Sequence, residues 1–183
     1  MAAIAWQVAK SQKGVTLVEL MVTVAVLAIV LTIAVPSFSG IIAANRLTGP
    51  ANEALSALHF ARSEAIRLNR SIDVCKSNAA GTACDANAGA WPGLLVIRPA
   101  AAGQVVVLRQ IMFDPALVVN GRHALIRFNA EGFIRAANNT AISGTLRICS
   151  TAPQLTQNAR DLEYVSGGRV SLARRAASGC PAP

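Results

Sequence analysis

One carboxylate lies inside the longest apolar run of this 183-residue chain. Glu19 is the only ionisable side chain between Val15 and Val35. A charged group inside a membrane helix costs at least about 2 kcal/mol, so such a residue generally has a partner or a function. We therefore expect Glu19 to pair with another group. The alternative interpretation is a simple signal anchor, which gives the carboxylate no role.

Four cysteines, Cys75, Cys84, Cys149 and Cys180, lie in the polar part of the chain. None forms a CxxC redox pair, and no neighbouring histidine completes a zinc site. An even number of cysteines behind an apolar segment indicates an oxidising compartment and two disulfides. The sequence allows three pairings. We favour Cys75 with Cys84, which closes a short loop, and Cys149 with Cys180, which ties down the C-terminal tail.

The chain has a net charge of +8, and nearly all of its positively charged side chains are arginines. Arg169, Arg174 and Arg175 lie within seven residues, and no acidic residue follows Glu163. Arginine grips carboxylates and phosphates with two parallel hydrogen bonds, so a basic surface can meet nucleic acid, anionic lipid or an acidic protein. A solvated basic face without a specific partner is the competing interpretation.

The sequence contains no recognisable catalytic set. No serine or cysteine sits in a nucleophile elbow, no histidine accompanies paired carboxylates, and there is no glycine-rich phosphate loop. His59 and His123 are isolated and are interpreted as surface or packing residues. We predict that the chain is not an enzyme and uses no cofactor or metal.

The elements that carry these residues begin with a short leader, Met1 to Gly14, in which Lys10 and Lys13 precede the apolar run. A secretory signal has its cleavage site after the apolar stretch, whereas here glycine comes before it. The run is about 21 residues long, or roughly 32 Å as a helix, which matches a hydrocarbon core of ~30 Å. The positive-inside rule then places the leader in the cytoplasm and the rest across the membrane.

Helical spacing continues beyond Pro36, where the apolar run ends, through Leu55, Leu58 and Ala61. Gly49-Pro50 is predicted to kink or restart the helix, since proline suits a first turn but not a helix interior. We expect one long helix from about Val15 to Asn69. Its first half is transmembrane, and its amphipathic second half packs on a domain.

Short β-like runs separated by turn residues follow the helix. Two turns are predicted, at Asn129 to Gly132 and at Ser166 to Gly168. The predicted strands are Ile72–Lys76, Leu94–Arg98, Val105–Arg109, Leu125–Phe128, Thr145–Cys149, Leu162–Val165 and Val170–Leu172. A helix followed by strands is an α+β arrangement, with the helix covering antiparallel sheet.

The junction from Lys13 to Leu20 resembles the prepilin processing site of type IV pilins and type II secretion pseudopilins. The resemblance implies that a membrane peptidase cuts between Gly14 and Val15 and then methylates the new amino terminus. Glu19 is the fifth residue after the cut, where the family has its glutamate. Pro36 falls where the family helix carries a proline. The usual phenylalanine after the cut is replaced by Val15.

Elementary chemistry agrees with this implied role of the junction. Glycine lets a protease approach the backbone closely. Cleavage creates a positive amine at Val15, with which Glu19 of a neighbouring subunit can pair inside an apolar bundle. Pairing offsets part of the cost of burying a carboxylate. Glu19 is therefore expected to set the register between subunits in a filament.

A second resemblance, to the minor-pilin family that includes FimT, FimU and GspH, runs over most of the chain. It rests on Phe60 to Ile66, Asp73-Val74-Cys75, Trp91, Phe128-Asn129 with Gly132, Leu146 to Cys149 and Gly168-Arg169-Val170. It implies a pilin-like fold with a leader (1–14), a transmembrane and assembly half-helix (15–36) and a soluble α+β domain (37–183). The expected location is the bacterial inner membrane, single-pass, with the domain in the periplasm, and then a pilus or pseudopilus.

The resemblance implies a structural subunit, near the filament tip, that helps to initiate assembly with other pilins after processing by prepilin peptidase. A DNA-binding minor pilin for DNA uptake is the alternative. Some FimT-like pilins bind DNA through a basic C-terminal region that opens with a Gly-Arg pair, which Gly168-Arg169 matches. Ser171 stands where the next arginine is expected, and Arg174 and Arg175 are candidates to replace it. Such binding rests on phosphate contacts and weakens steeply with salt.

Overall fold

A computed structural model describes residues 14–87, 89–100 and 103–183, apart from the side chains of residues 33 and 35–37. Most of the predicted leader, including Lys10 and Lys13, and the side chain of Pro36 lie outside the described residues. Contacts divide the chain into two compact units, one ending at Ser39 and one beginning at Gly40.

The helix α1 spans Leu17–Leu68. It continues through Gly49 and Pro50, so the predicted restart there is wrong. Pro50 removes only one backbone donor, and the apolar face on either side of it packs on the sheets. Asn69 ends the helix in the left-handed region (φ 50°). The backbone N–H groups of Asn69 and Arg70 return to the carbonyls of Ile66 and Ala65, which is a Schellman ending.

Nine strands follow in two antiparallel sheets within the described residues. The strands are β1 (Ile72–Lys76), β2 (Gly93–Pro99), β3 (Val105–Met112), β4 (Leu117–Gly121), β5 (Leu125–Phe128), β6 (Ile134–Arg135), β7 (Gly144–Ser150), β8 (Ala159–Tyr164) and β9 (Val170–Arg175). The first sheet has the order β3-β2-β1-β5-β6, and the second has the order β4-β7-β8-β9. The predicted α+β class is confirmed.

The core lies between the C-terminal half of α1 and one face of each sheet. Its helix face consists mainly of alanines (Ala51, Ala54, Ala57, Ala61 and Ala65), all fully buried together with Leu47 and Leu58. Alanine has no side chain beyond Cβ, so the helix axis can lie close to the strands. Phe128, Leu146, Ile148 and Leu162 fill the core from the sheets. The aromatic ring of Trp91 is buried in the same core.

All seven predicted strands are present, with ends that differ by up to three residues. Both predicted turns are confirmed. The N–H of Gly132 donates to the carbonyl of Asn129, and the N–H of Gly168 donates to the carbonyl of Val165. Strands β4 and β6 were not predicted. Each is short, and β4 is held by its antiparallel pairing with β7.

Candidate functional site

The side chain of Thr16 caps the start of α1 by hydrogen-bonding to the backbone of Glu19. The backbone N–H of Glu19 donates to the Thr16 hydroxyl oxygen at 3.2 Å. Thr16 thus occupies the N-cap position and Glu19 the third helical position. The negative charge of Glu19 also interacts favourably with the positive end of the helix dipole. Within the described part of the chain, the exposed Glu19 carboxylate has no ion-pair partner.

In the first unit, the apolar part of α1 is largely exposed, as judged from the described residues. Twelve large apolar side chains between Val15 and Leu31 are 50–75% exposed. The residues searched, which are only those that the structure describes, include no helix with the length and apolarity needed to cross a membrane. The transmembrane role of residues 15–36 stays a prediction.

Near the C-terminal end of α1, the helix packs closely against one turn from each sheet, and this contact is the helix–turn junction. The Arg62 guanidinium donates to the carbonyl oxygen of Gly168 at 3.0 Å. A Cβ on Gly168 would collide with the Gly132 carbonyl oxygen, and one on Gly132 would lie 2.9 Å from Ile66. Both glycines have positive φ (83° and 78°), a backbone region open to glycine. Both positions therefore require glycine.

The junction explains the role of the motif around Arg62. Ala61 and Ala65 are buried in the core, as expected for a fold-forming motif. Glu64 pairs with Arg67 at 2.7 Å, and this hydrogen bond lowers the pKa of the Glu64 carboxyl. Arg62 makes no ion pair among the described residues and donates instead to the Gly168 backbone.

Two bidentate ion pairs fix the strands of the two sheets. Arg127 on β5 donates two hydrogen bonds to Asp73 on β1, at 2.7 and 2.8 Å. Arg147 on β7 likewise binds Asp161 on β8, with both bonds at 2.8 Å. The hydrogen bond to each aspartate raises the pKa of its arginine. Each pair joins residues that lie directly opposite in the strand register, so the pairs are structural.

The structure does not bring the three C-terminal arginines together. Arg169 lies in the turn before β9, whereas Arg174 and Arg175 are at the far end of that strand. Five residues of extended chain separate Arg169 from Arg174 by roughly 17 Å. Because successive side chains alternate across a strand, Arg174 and Arg175 point to opposite faces. The three residues are all exposed.

Acidic residues of β8 neutralise one of these arginines. Arg175 contacts Glu163 at 2.7 Å and Asp161 at 3.5 Å. The sequence places no acid after Glu163, but the antiparallel return of β9 brings β8 alongside it. Arg169 and Arg174 have no ion-pair partner among the described residues.

Both favoured disulfides are present, Cys75–Cys84 and Cys149–Cys180. Cys75 and Cys149 are buried in strands, and their partners lie in the loop after β1 and in the C-terminal tail. Asn158 reinforces the second connection by exchanging hydrogen bonds with the backbone of Ala177 at 2.8 and 2.9 Å. The tail is thereby held against the second sheet.

A shallow cleft of about 330 Å³ lies beside the first sheet. It is lined mainly by apolar groups, including Trp91, Met112 and Phe113, and Asp114 is its one ionisable residue. The Asp114 carboxylate accepts a hydrogen bond from the N–H of Ala116. Among the described residues, no three His, Cys, Asp or Glu side chains form a group that could hold a metal.

Two family models match the chain. Residues 51–168 match the model of the type II transport protein GspH, and residues 9–35 match the prokaryotic N-terminal methylation motif. The first match covers the C-terminal half of α1 and most of both sheets. The second covers the Gly14–Val15 junction, Glu19 and the apolar run. A search among curated proteins finds no match.

Matching solved structures include the type IV minor pilin FimU of Pseudomonas aeruginosa PAO1 in two crystal forms. In the first, the identity is 25% and the TM-score is 0.53, and the match covers 70% of this chain and 89% of that one. In the second, the identity is 24% and the TM-score is 0.52, with 69% and 92% of the two chains covered. The likeness places the long helix and antiparallel sheets in a pilin fold.

Proposed function

We propose that this chain, which belongs to the GspH family of pilin-like proteins, is a minor pilin or pseudopilin. It enters a type IV pilus or a type II secretion pseudopilus near the tip and helps to initiate assembly. The family consists of structural subunits rather than enzymes. Its N-terminal methylation motif implies processing by a prepilin peptidase and assembly with other pilins.

The observation that carries the proposal is the uncovered apolar helix that begins at the capped Thr16–Glu19 pair. Its large side chains are at least half exposed up to Leu31. At about 25 cal/mol per Å² of apolar surface, covering such a helix stabilises an assembly strongly. Lipid covers it before assembly, in a single-pass inner-membrane precursor whose C-terminal domain lies in the periplasm. Neighbouring helices cover it afterwards.

Glu19 supplies the register in this scheme. Prepilin peptidase cuts between Gly14 and Val15, and the methylated amine of Val15 in one subunit pairs with Glu19 of the next. The Glu19 carboxylate is exposed and lacks an ion-pair partner in the described chain, so it is available for this contact. Inside an apolar bundle an unpaired carboxylate would be strongly penalised, so subunits align where the pair forms. Pro36 lies within α1 beyond this contact.

Two substitutions test processing and assembly separately. Gly14→Leu places a branched side chain at the cut, and we expect uncleaved precursor that is absent from sheared filaments. Glu19→Gln leaves the junction intact, and we expect cleaved protein whose abundance in filaments falls at least roughly tenfold. Cleavage is measured by mass spectrometry of the amino terminus, and incorporation by immunoblotting of the filament fraction.

Gly167→Leu is the matched control, since a Cβ at Gly167 meets no atom within 4 Å. It should be processed and assembled like the parent. Uncleaved Gly14→Leu in filaments, or full incorporation of Glu19→Gln, would contradict the proposed mechanism. Immunogold labelling spread along the filaments rather than at their ends would contradict the tip location.

DNA binding is the second candidate function, and Arg169 and Arg174 favour it because both are exposed and make no ion pair in the described part of the chain. The contacts of Arg175 with Glu163 and Asp161 make it the least available of the three. In gel shifts at low salt, Arg169→Ala/Arg174→Ala should therefore weaken DNA retention more than Arg175→Ala. Equal retention by all variants, or none by the parent, would exclude this role for the arginines.

A further inference from the structure

The core-facing side of β8 carries a buried cation without a counter-ion. Arg160 is only 5% exposed. Its guanidinium donates to the carbonyl oxygens of Gln157 and Ala159 at 2.9 and 3.0 Å, and to the Thr48 hydroxyl at 3.3 Å. All three acceptors are neutral, and the Nε atom has no hydrogen-bond partner among the described residues. No carboxylate of the described chain pairs with this guanidinium.

A second cation lies beside it. Arg174 on β9 is directly opposite Arg160 in the strand register, on the same face of the sheet. It is exposed and makes no ion pair in the described chain. Burial, and then the charge of Arg174, lower the pKa of Arg160. Like charges directly opposite on neighbouring strands are destabilising, and a buried charge without a partner is more so. This arrangement lacks an anion.

We propose that Arg160 and Arg174 form a binding site for a carboxylate side chain of a neighbouring pilin subunit. One carboxylate has enough acceptor positions to bridge two guanidinium groups. Arg174 is the exposed contact at the rim, and Arg160 is the recessed contact beside α1 at Thr48. Binding would exchange the repulsion between two cations for two charge-assisted pairs.

The location favours a protein carboxylate over DNA. A single carboxylate side chain is small enough for a recessed site such as Arg160, whereas the phosphates of a duplex are held on a rigid backbone and suit the exposed Arg174. The site adjoins α1, and this chain carries on that helix an exposed glutamate, Glu53, with no ion-pair partner in the described chain. A carboxylate on the helix of a neighbouring pilin therefore fits the site. This inference rests on the proposed filament function.

The test compares the parent with Arg160→Met/Arg174→Gln in the full chain. The substitutions remove uncompensated charge but also the three hydrogen bonds of Arg160, so the melting temperature of each variant is measured in detergent before incorporation is compared. Incorporation of the double variant into filaments should fall roughly tenfold, the effect of losing about 1.4 kcal/mol of binding. Arg174→Lys, which keeps the charge, should retain most of the incorporation. Arg122→Gln removes another exposed arginine and should incorporate like the parent.

Each outcome bears on the proposal. Normal incorporation of the double variant overturns it. Where the double variant melts several degrees below the parent, Arg174→Gln alone gives the comparison, since Arg174 is exposed, and its normal incorporation overturns the proposal. Reduced DNA retention with unchanged incorporation assigns the site to nucleic acid instead. Absence of the parent from filaments counts against the filament function, and parental incorporation is therefore measured first.

Discussion

The Arg62 guanidinium lies 3.0 Å from the carbonyl oxygen of Gly168, although 106 positions separate the two residues. The bond joins the last turns of α1 to the turn between β8 and β9. Gly132, from the turn between β5 and β6, packs into the same junction. One side chain thus connects the helix with a turn from each sheet.

Loss of this connection should lower stability. Arg62→Met keeps the length of the side chain but removes the donor to Gly168, and we expect the free energy of unfolding to fall by about 1–2 kcal/mol. Arg70→Met is the control, since Arg70 is exposed and its side chain makes no hydrogen bond among the described residues. Chemical denaturation of the two variants gives the comparison. Equal stabilities would show that the Arg62 bond contributes nothing.

Neighbouring glycines in one turn should respond very differently to alanine. Gly168→Ala adds a Cβ against the Gly132 carbonyl at a φ of 83°, so we expect a loss of about 3 kcal/mol or more. Gly167→Ala adds the same group in open space and should change stability by less than about 0.5 kcal/mol. Thermal melting followed by circular dichroism distinguishes them. Similar melting temperatures would contradict the close packing of the junction.

The disulfides should contribute unequally. Cys149–Cys180 spans 31 positions and Cys75–Cys84 spans 9. The chain-entropy relation gives about 3.7 kcal/mol for the longer loop and about 2.6 kcal/mol for the shorter one. Replacing each pair by serines, one pair at a time, and measuring urea unfolding tests the order. A larger loss from the shorter loop would mean that contacts in the native state outweigh loop entropy.

Alkaline pH should destabilise the fold through Tyr164. Burial raises the pKa of this phenol well above its ordinary value near 10. The folded protein therefore retains a proton that the unfolded chain loses above about pH 10, so stability is complete below that pH and falls above it. The slope from this group is at most about 1.4 kcal/mol per pH unit.

Tyr164→Phe is the matched variant, because the phenol oxygen donates and accepts no hydrogen bond within the described chain. We expect it to fold normally at pH 7 and to lose less stability than the parent between pH 10 and 11. Melting temperatures of both proteins over this range provide the test. Parallel curves would assign the alkaline loss to other groups.

The sequence was informative where structure follows from local pattern. Helical spacing from Leu55 to Ala61 predicted the packed part of α1, and glycine placed the turns at Gly132 and Gly168. Strand β6 has only two residues, Ile134 and Arg135, too few for alternation to be recognised. Strand β4 was missed because its short apolar run, Leu117 to Val119, depends on pairing with β7.

The candidate site depended more on strand register, which sequence pattern does not provide. Three arginines close in sequence were interpreted as one basic cluster, but β9 separates Arg169 from Arg174 along its length. Arg175 meets Asp161 and Glu163 only because β9 runs back along β8. The lack of a counter-ion for Arg160 in the described chain could not be predicted either, because it depends on which residues of β9 and α1 lie next to Arg160.

The cap at Thr16 has a consequence for maturation. The hydrogen bond that starts α1 joins Thr16 to Glu19, and both residues lie on the carboxyl side of the Gly14–Val15 bond. Cleavage at that bond removes no residue of the cap or of the helix. In the proposed scheme, processing therefore changes the charge at the amino terminus and keeps every residue that forms the cap. The proposed cut would place one new positive charge at Val15, four residues from Glu19.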